Sequence, residues 1–456
     1  MRSVVILASA LLLLPGAVSP QAETTAFVNV TVLPMDRERV LEDHTVLVQD
    51  GLIQEMAPSH RVQVPVGAQV IDGAGLFLLP GLADMHVRLP GPQATREEIE
   101  QFMFLLLANN VTVIRGMQGT SNHLRLKRDV ASGALLGPTI YPGSPPLNGQ
   151  NAQDAESAIN RMMANRSEGY DFQTIQQGIR GEVWDSLTEE AHSRGYSFGG
   201  IIPDSVGLRR ALSTGISTIE HLNGFLEEVV SDPVRARLEK GETVSLREML
   251  DSVEGRKMRA IAAHTRSSDS WVVPTLHIWE TRYRPVELSA MLSLPEMQFV
   301  PASTREAWTQ ESGSRPPTDP ETAELLIQVR QRILRALTMA GVGVLMGTDS
   351  PQMFNIPGFS LRHELRSMEA AGLTPYEILV AGTRNVAEYA RRELLEPANF
   401  GTVEEGNRAD LILLNANPFL DLEALWTQEG VMVHGRWIPR EEIDARLEAL
   451  AEKFGG

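Results

Sequence analysis

The sequence predicts an α/β protein whose largest part is a closed barrel of eight parallel strands. Strand-like segments alternate with helical patterns such as 101–108, 205–212 and 360–371, and repeated β/α units are typical of such a barrel. A doubly wound open sheet is the weaker alternative, since no Gly-x-Gly-x-x-Gly opens a helix here. The eight strand segments are centred on 79–86, 111–116, 139–142, 172–176, 196–202, 218–222, 271–276 and 344–349.

The two ends of the chain carry a second pattern of short strands. Alternating apolar residues run through 27–33 and 45–53, where Asp50-Gly51 is a hairpin turn signal. Similar strands lie at 409–414 and 430–438. We expect both ends to pair into one small β-domain, closed by an amphipathic helix over 440–454.

Composition restricts the function classes. The 456 residues carry a net charge of −17, which disfavours nucleic acid as a partner because phosphate backbones are bound by clustered Lys and Arg. The chain contains no cysteine, and this excludes disulfides, thiol nucleophiles and thiolate metal sites. A small-molecule ligand or substrate is the expected partner, and an oligomer stays open.

The N-terminus has the pattern of a secretory signal peptide. One arginine, an apolar run over 4–14 and small residues follow one another, and the run is too short for a stable membrane anchor. We expect cleavage between residues 19 and 23 and a secreted or bacterial periplasmic protein, with no membrane association afterwards. The predicted division is a signal peptide at 1–22, β-domain at 23–79 and 396–456, and barrel at 80–395.

The tip of the first barrel strand holds His86 and Arg88. Residues i and i+2 of a strand point to the same side, so His-x-His at this tip would aim two imidazoles at one cation. Arginine is permanently cationic and has no lone pair to donate. The sequence therefore indicates a metal site in which one ligand has been lost.

Four motifs are spread along the chain: Leu-Pro-Gly-Leu-Ala-Asp-Met-His at 79–86, Thr-Ile-Glu-His-Leu-Asn-Gly at 218–224, Gly-Thr-Asp-Ser at 347–350 and the glycine-rich stretch 401–411. Together they resemble the amidohydrolase superfamily, with the imidazolonepropionase-like and prolidase-like hydrolases as the most similar branch. The resemblance covers nearly the whole mature chain and implies a TIM-type (β/α)8 barrel beside a β-sandwich formed by both ends of the mature chain.

In that family a binuclear metal centre draws its ligands from five strand ends. The resemblance assigns the first-strand histidine to His86, the sixth-strand histidine to His221 and the eighth-strand aspartate to Asp349. These three residues are our candidate metal ligands. His221 and Asp349 are also the candidate catalytic residues.

Three further ligand positions are replaced. Arg88 stands for the second histidine of strand one, Thr174 for the lysine of strand four and Ile201 for the histidine of strand five. Threonine cannot form the carboxylated bridge between two metals, and isoleucine removes a ligand. We therefore expect no binuclear centre, and we expect the Arg88 guanidinium to pair with Asp349 in its place.

The expected cofactor is none, and one zinc or manganese ion on His86, His221 and Asp349 is the alternative. His277, at the predicted end of strand seven, is either a further donor or a residue that lines the pocket with Arg88. Three functions stay open. The first is a catalytically impaired or diverged protein that binds a small amide or peptide-like ligand in the barrel mouth.

The second function is a mononuclear metal hydrolase of C–N bonds, in amides, dipeptides or lactams. Asp349 would be its general base, and His221 would ligate the metal or polarise the carbonyl. The third is a scaffold for a protein partner. Only the long insertions at 225–270 and 280–320 favour this third reading, and either insertion could equally be a lid over the barrel mouth or a solvated loop.

Overall fold

The computed structural model describes residues 24–284, 287–314 and 318–454, so the predicted signal peptide at 1–22 lies outside the described residues. The fold is α/β with mixed sheets. Its strands are β1 (Thr24–Val32), β2 (Leu41–Gln49), β3 (Leu52–Pro58), β4 (Gln69–Asp72), β5 (Phe77–Pro80), β6 (Leu82–Arg88), β7 (Val111–Met117), β8 (Thr139–Pro142), β9 (Gln173–Ile175), β10 (Phe198–Gly200), β11 (Thr218–Glu220), β12 (Trp271–Val273), β13 (Leu411–Leu414), β14 (Gln428–Val433) and β15 (Arg436–Pro439).

Helices follow most of the central strands. They are α1 (Arg96–Leu107), α2 (Ser121–Ala131), α3 (Ala155–Glu168), α4 (Gly181–Ser193), α5 (Leu208–Ser213), α6 (Phe225–Val229), α7 (Asp232–Glu239), α8 (Leu246–Asp251), α9 (Gly255–Ser267), α10 (Leu276–Tyr283), α11 (Leu288–Leu292), α12 (Ala302–Ser314), α13 (Pro320–Met339), α14 (Phe359–Ala370), α15 (Pro375–Ala381), α16 (Arg384–Glu393) and α17 (Arg440–Phe454). No helix within the described ranges has the length and apolar character needed to cross a membrane.

Strands from both ends of the chain form one eight-stranded sheet. Its order is β15-β14-β13-β5-β1-β2-β3, and β4 pairs with β1. The two ends join where β13 lies antiparallel to β5, with Ile412 opposite Leu79. At the predicted hairpin, Asp50 and Gly51 have φ angles of 51° and 77°, which is the conformation of a tight turn between β2 and β3.

The central strands form two parallel sheets, β6-β7-β8 and β9-β10-β11-β12. Single parallel bridges connect their edges: Gly143 pairs with Phe172, Val272 with Val344, and Val87 with Ser350. The predicted eighth strand, 344–349, therefore contributes bridges rather than a continuous ladder. Within the described residues the ladders do not close into a barrel.

The predicted seventh strand is shorter than expected. β12 ends at Val273, Thr275 has a φ of 43° and α10 begins at Leu276. Thr275 is β-branched and favours strands, but the left-handed conformation at this position turns the chain. His277 consequently lies in the first turn of a helix, and its predicted place at a strand end is wrong.

The two long insertions are largely helical. The first, 225–270, contains α6 to α9, and the second, 280–320, contains the C-terminal half of α10 together with α11 and α12. Both contribute side chains to one cavity next to the strand ends, Val244 and Met249 from the first and Arg282 and Tyr283 from the second.

Candidate active site

The three predicted ligand residues meet at the ends of the central strands. His86 belongs to β6, His221 directly follows β11, and Asp349 follows the segment that bridges to β12. The Nε2 atom of His86 lies 3.4 Å from Oδ1 of Asp349, and Nε2 of His221 lies 3.9 Å from Oδ2. One donor atom of each residue lies within 4.8 Å of the others.

The backbone at this point is strained. His221 has a φ of 59° and Asp349 a φ of 61°, in the left-handed region that non-glycine residues rarely adopt. Each such residue costs on the order of 1–3 kcal/mol and persists only where the surrounding structure enforces it. Two strained residues facing each other are typical of a functional site.

Arg88 pairs with Asp349 as the sequence predicted. Its Nε donates to Oδ1 at 2.8 Å and its Nη2 to Oδ2 at 3.4 Å. Both oxygens of the carboxylate therefore accept from one guanidinium. The Arg88 side chain remains 38% exposed, while that of Asp349 is buried.

Two charged residues that the sequence analysis did not single out extend this arrangement. Glu220 accepts from Nη2 of Arg115 at 2.6 Å, and its other oxygen lies 2.7 Å from Nδ1 of His86. Arg115 is fully buried and also donates from Nε to the carbonyl of Met85. An arginine inside the apolar strand Val-Thr-Val-Ile-Arg-Gly-Met was the available sequence signal.

These contacts form a row of alternating charge, which we call the charge chain. Its members in order are Arg115, Glu220, His86, Asp349 and Arg88. Each anion lies between two cations, so the buried charges are compensated along the row. Such compensation is what a buried charge requires, because an unpaired one costs several kcal/mol.

The charge chain sets the protonation of the two histidines. Burial opposes the charged form of His86, but the carboxylates of Asp349 and Glu220 outweigh it and raise its pKa to about 9. Burial and the neighbouring charge of His86 lower the pKa of His221 to about 4. At neutral pH His86 is an imidazolium and His221 is neutral.

The pKa values of the two carboxylates in the charge chain, Glu220 and Asp349, are both lowered. Burial works against ionisation of Glu220, yet Arg115 and His86 lower its pKa to about 2. Burial likewise opposes ionisation of Asp349, and His86, His221 and Arg88 hold its pKa well below the usual range. Both carboxylates are therefore ionised at neutral pH.

The replaced ligand positions do not fit a binuclear centre. Thr174 is fully buried in β9, and its Oγ1 has no hydrogen-bond partner among the described residues. Ile201 places hydrocarbon in the cavity wall beside Arg88. Since neither Thr174 nor Ile201 supplies a donor suited to a divalent metal, two ions cannot be held as the resemblance would require.

The residues fit a single metal ion better than two, but Arg88 competes with the ion for Asp349. The Nδ1 atoms of both histidines are held from outside, His86 by Glu220 and His221 by Thr275 at 2.7 Å, and such contacts orient metal-binding imidazoles. Both Nε2 atoms face Asp349. However, Arg88 engages both oxygens of Asp349, so these donors fit one ion only if Arg88 is displaced.

A cavity of about 550 Å³ opens beside the charge chain. His277, a predicted pocket residue, is not among its lining residues; its ring stacks on His363 with centroids 4.7 Å apart. Arg88, the other predicted pocket residue, does line the cavity. The wall comprises Arg88, Ile201, His221, Leu222, Asn223, Gly224, Leu226, Glu227, Val244, Leu246, Met249, Ile278, Trp279, Arg282, Tyr283, Leu326, Arg330 and Asp349.

Sequence comparisons place the chain among known proteins. A sequence model described as the amidohydrolase family matches residues 282–438. A dihydroorotase from Pelobacter propionicus is 36% identical over 80 residues, which are 17% of this chain and 18% of that enzyme. A dihydroorotase from Geobacter metallireducens is 25% identical over 183 residues, 39% of this chain and 37% of the relative. The chain thus spans well under half the length of these curated relatives.

Solved structures share the fold over nearly the whole chain. A candidate prolidase from Bifidobacterium longum is 24% identical with a TM-score of 0.66, covering 94% of this chain and 99% of its own. Bottromycin amidohydrolase is 21% identical with a TM-score of 0.72, covering 95% of this chain and 91% of its own. A Xaa-Pro dipeptidase with bound methionine is 16% identical with a TM-score of 0.61, covering 91% of this chain and 100% of its own.

Proposed function

Because the chain belongs to the amidohydrolase superfamily, we propose that it is a diverged member in which ion pairs stand where active relatives hold metal. In this proposal the protein binds a small amide or peptide-like ligand in the 550 Å³ cavity without metal-dependent hydrolysis. The observation that carries it is the bidentate contact of Arg88 with Asp349.

The charge balance supports this proposal. At neutral pH the imidazolium of His86 has no lone pair free for a cation, because its two nitrogens face Glu220 and Asp349. A divalent ion would have to displace two positive charges, those of His86 and Arg88. Repulsion between such charges a few ångströms apart amounts to several kcal/mol at an intermediate effective dielectric.

The alternative is a mononuclear hydrolase, favoured by the convergence of His86, His221 and Asp349 within 4.8 Å. A bound zinc or manganese ion would supply an activated water at neutral pH. In that case Asp349 would accept the proton of the water and pass it to the leaving amine. His86 would have to lose its proton and Arg88 its contact with Asp349.

Metal analysis distinguishes the metal-free binding protein from the mononuclear hydrolase. The purified protein is stripped with a chelator, incubated with zinc or manganese, and assayed for bound metal and for hydrolysis of Xaa-Pro dipeptides, other dipeptides, lactams and lactones. We expect substoichiometric metal and no turnover. Stoichiometric metal with turnover that Asp349→Asn abolishes would establish the alternative.

Arg88→His is the informative variant, because it recreates His-x-His at the tip of β6. If Arg88 excludes the metal, this variant binds zinc more tightly than the wild type does. Arg247→His, on an exposed arginine of α8 paired with Asp251 at 2.9 Å, is the matched control and leaves metal binding unchanged. Equal zinc binding by all three proteins would contradict the replacement of metal by Arg88.

We also propose the architecture and the export that the sequence predicts. The parallel bridges Gly143–Phe172, Val272–Val344 and Val87–Ser350 support an eight-stranded barrel, and the pairing of β13 with β5 supports a sandwich built from both ends. The apolar N-terminal run supports secretion or periplasmic location. Mass spectrometry of the protein recovered from cells tests this last point, since an intact residue 1–22 segment would contradict export.

A further inference from the structure

Arg330 is a buried guanidinium on the wall of the cavity. It lies in α13 and is 7% exposed. Its Nη2 donates to the carbonyl of His221, and its Cζ lies 3.8 Å from the centroid of the Trp279 ring. Its Nε is buried and donates to no acceptor in the described chain.

Among the described residues, the charge of Arg330 has no anionic partner at ion-pair distance. Arg88 and Arg115 pair with carboxylates, but no carboxylate in residues 24–284, 287–314 and 318–454 lies within 4.0 Å of Arg330. Arginine side chains keep their proton in folded proteins, so the guanidinium is charged at neutral pH. An unpaired buried charge costs several kcal/mol unless something compensates it.

The nearby acidic groups offset it only in part: Glu364 and Glu227 raise the pKa of Arg330, but burial outweighs them. Glu364 accepts from the backbone N–H groups of Leu276 and His277, and burial raises its pKa to about 8, so it is mostly protonated at neutral pH. Glu227 lines the cavity but is exposed to solvent, and Asp349 is already held by Arg88 and His86. The compensating anion is therefore expected from a ligand.

The other residues of the cavity wall indicate the chemical character of the rest of that ligand. Apolar side chains from the first insertion, from α10 and from α13 line the cavity, including Leu226, Met249, Trp279, Tyr283 and Leu326. A cavity of about 550 Å³ holds a ligand the size of a substituted amino acid or larger. A planar guanidinium matches the geometry of a carboxylate.

We propose that the cavity binds a small molecule whose carboxylate is held by Arg330 and whose apolar body packs on the wall around Trp279 and Met249. The proposal rests on the proposed function only in that the cavity binds an amide-like ligand. It adds the chemical class, an N-acylated amino acid or similar carboxylate, and the residue that selects it. It needs no metal.

The test compares two probes that differ only in charge, N-acetyl-L-phenylalanine and its primary amide, by isothermal titration calorimetry. The wild type is expected to bind the acid about tenfold or more tightly than the amide. Arg330→Gln is expected to bind the acid and the amide with equal affinity, and Arg330→Lys to keep part of the preference. Arg335→Gln, on the same helix but paired with Glu377 at 3.5 Å, is the matched control and keeps the full preference.

Each outcome decides one point. Equal affinity for acid and amide, or a preference that survives Arg330→Gln, overturns the carboxylate site while leaving ligand binding in the cavity intact. Binding of neither probe by the wild type contradicts both the carboxylate site and the proposed function. A far-UV circular dichroism spectrum like that of the wild type shows that Arg330→Gln is folded. Displacement of the acid by inorganic phosphate alone would show that the site requires only charge, which also overturns the proposal.

Discussion

Arg115 and Arg330 are both buried arginines beside the same strand ends, yet their surroundings differ. Arg115 donates to Glu220, to the hydroxyls of Thr218 and Tyr389 and to a backbone carbonyl. Arg330 donates to one backbone carbonyl and stacks on Trp279. The first guanidinium forms an ion pair with a carboxylate, and the second forms none with any described residue.

The difference distinguishes an arginine that stabilises the fold, Arg115, from one that is available to bind a ligand, Arg330. Arg115 begins the charge chain, which ends at the partly exposed Arg88, and every charge in it has an oppositely charged neighbour. Arg330 lies on the cavity wall with its charge unpaired among the described residues. A mutation of Arg115 should therefore change the stability of the fold, and a mutation of Arg330 should change ligand binding.

The largest expected effect comes from Arg115→Met. It leaves Glu220 buried without its guanidinium, so we expect the free energy of unfolding to fall by about 3–5 kcal/mol. Urea denaturation at pH 7 measures this. Adding Glu220→Gln should recover part of the loss, because the unpaired charge is then removed. A fall below about 1 kcal/mol would show that the charge chain is not structural.

The second prediction concerns pH. His86 has an ordinary pKa of 6.5 and a folded pKa of about 9, so its stabilising protonation is complete below pH 6.5 and is lost as pH rises through 9. We expect the free energy of unfolding to fall on the order of 2 kcal/mol over this interval. Glu364, raised from 4.5 to about 8, acts in the same direction up to pH 8.

Two variants separate these contributions. Glu364→Gln should reduce the fall below pH 8 and leave it unchanged between pH 8 and 9, whereas His86→Asn should flatten the upper part. Urea denaturation at intervals of pH measures both. Stability that is level or rising between pH 8 and 9 would indicate a neutral His86, the protonation state that a metal ligand needs.

A smaller effect is expected from Arg88→Met. Asp349 keeps its contact with His86, and the Arg88 side chain is 38% exposed, so water replaces part of what is lost. We expect a decrease of about 1 kcal/mol in the free energy of unfolding. Arg247→Met, on the exposed pair with Asp251, is the control with little change. A loss as large as that of Arg115→Met would mean that solvent does not screen Arg88.

The smallest effect on stability is expected from Arg330→Met. Losing the contact with Trp279 is offset by removing an unpaired buried charge, so the free energy of unfolding should change by less than about 1 kcal/mol. Thermal and urea denaturation beside Arg115→Met provide the direct comparison. A loss of several kcal/mol would show that Arg330 is structural, like Arg115, and would remove the distinction between the two arginines.

Local patterns in the sequence were sufficient to predict much of the fold. The turn at Asp50-Gly51, the closing helix Arg440–Phe454 and the pairing of both ends follow from residue type and alternation. The end of β12 did not, because Thr275 is a strand former held in a left-handed conformation by its tertiary surroundings. Periodicity also predicted a regular strand at 344–349, whereas this segment makes isolated bridges rather than a continuous ladder.

The site was predictable where charge or family pattern marked a position. Arg88 was expected to pair with Asp349 because an unpaired buried carboxylate at a strand end is costly, and the structure contains this contact. The pair of Arg115 and Glu220 was missed, because the two residues are 105 positions apart and lie on strands of two different sheets that only the tertiary fold brings together. Arg330 lies in a helix whose packing no sequence pattern revealed.

The most direct test of the central claim is an anomalous difference map, recorded at the zinc absorption edge, from crystals grown with excess zinc. We predict no peak between His86 and Asp349, with the Arg88 guanidinium seated on both carboxylate oxygens. A peak at full occupancy bonded to His86, His221 and Asp349, with Arg88 turned away, would contradict the replacement of metal by ion pairs.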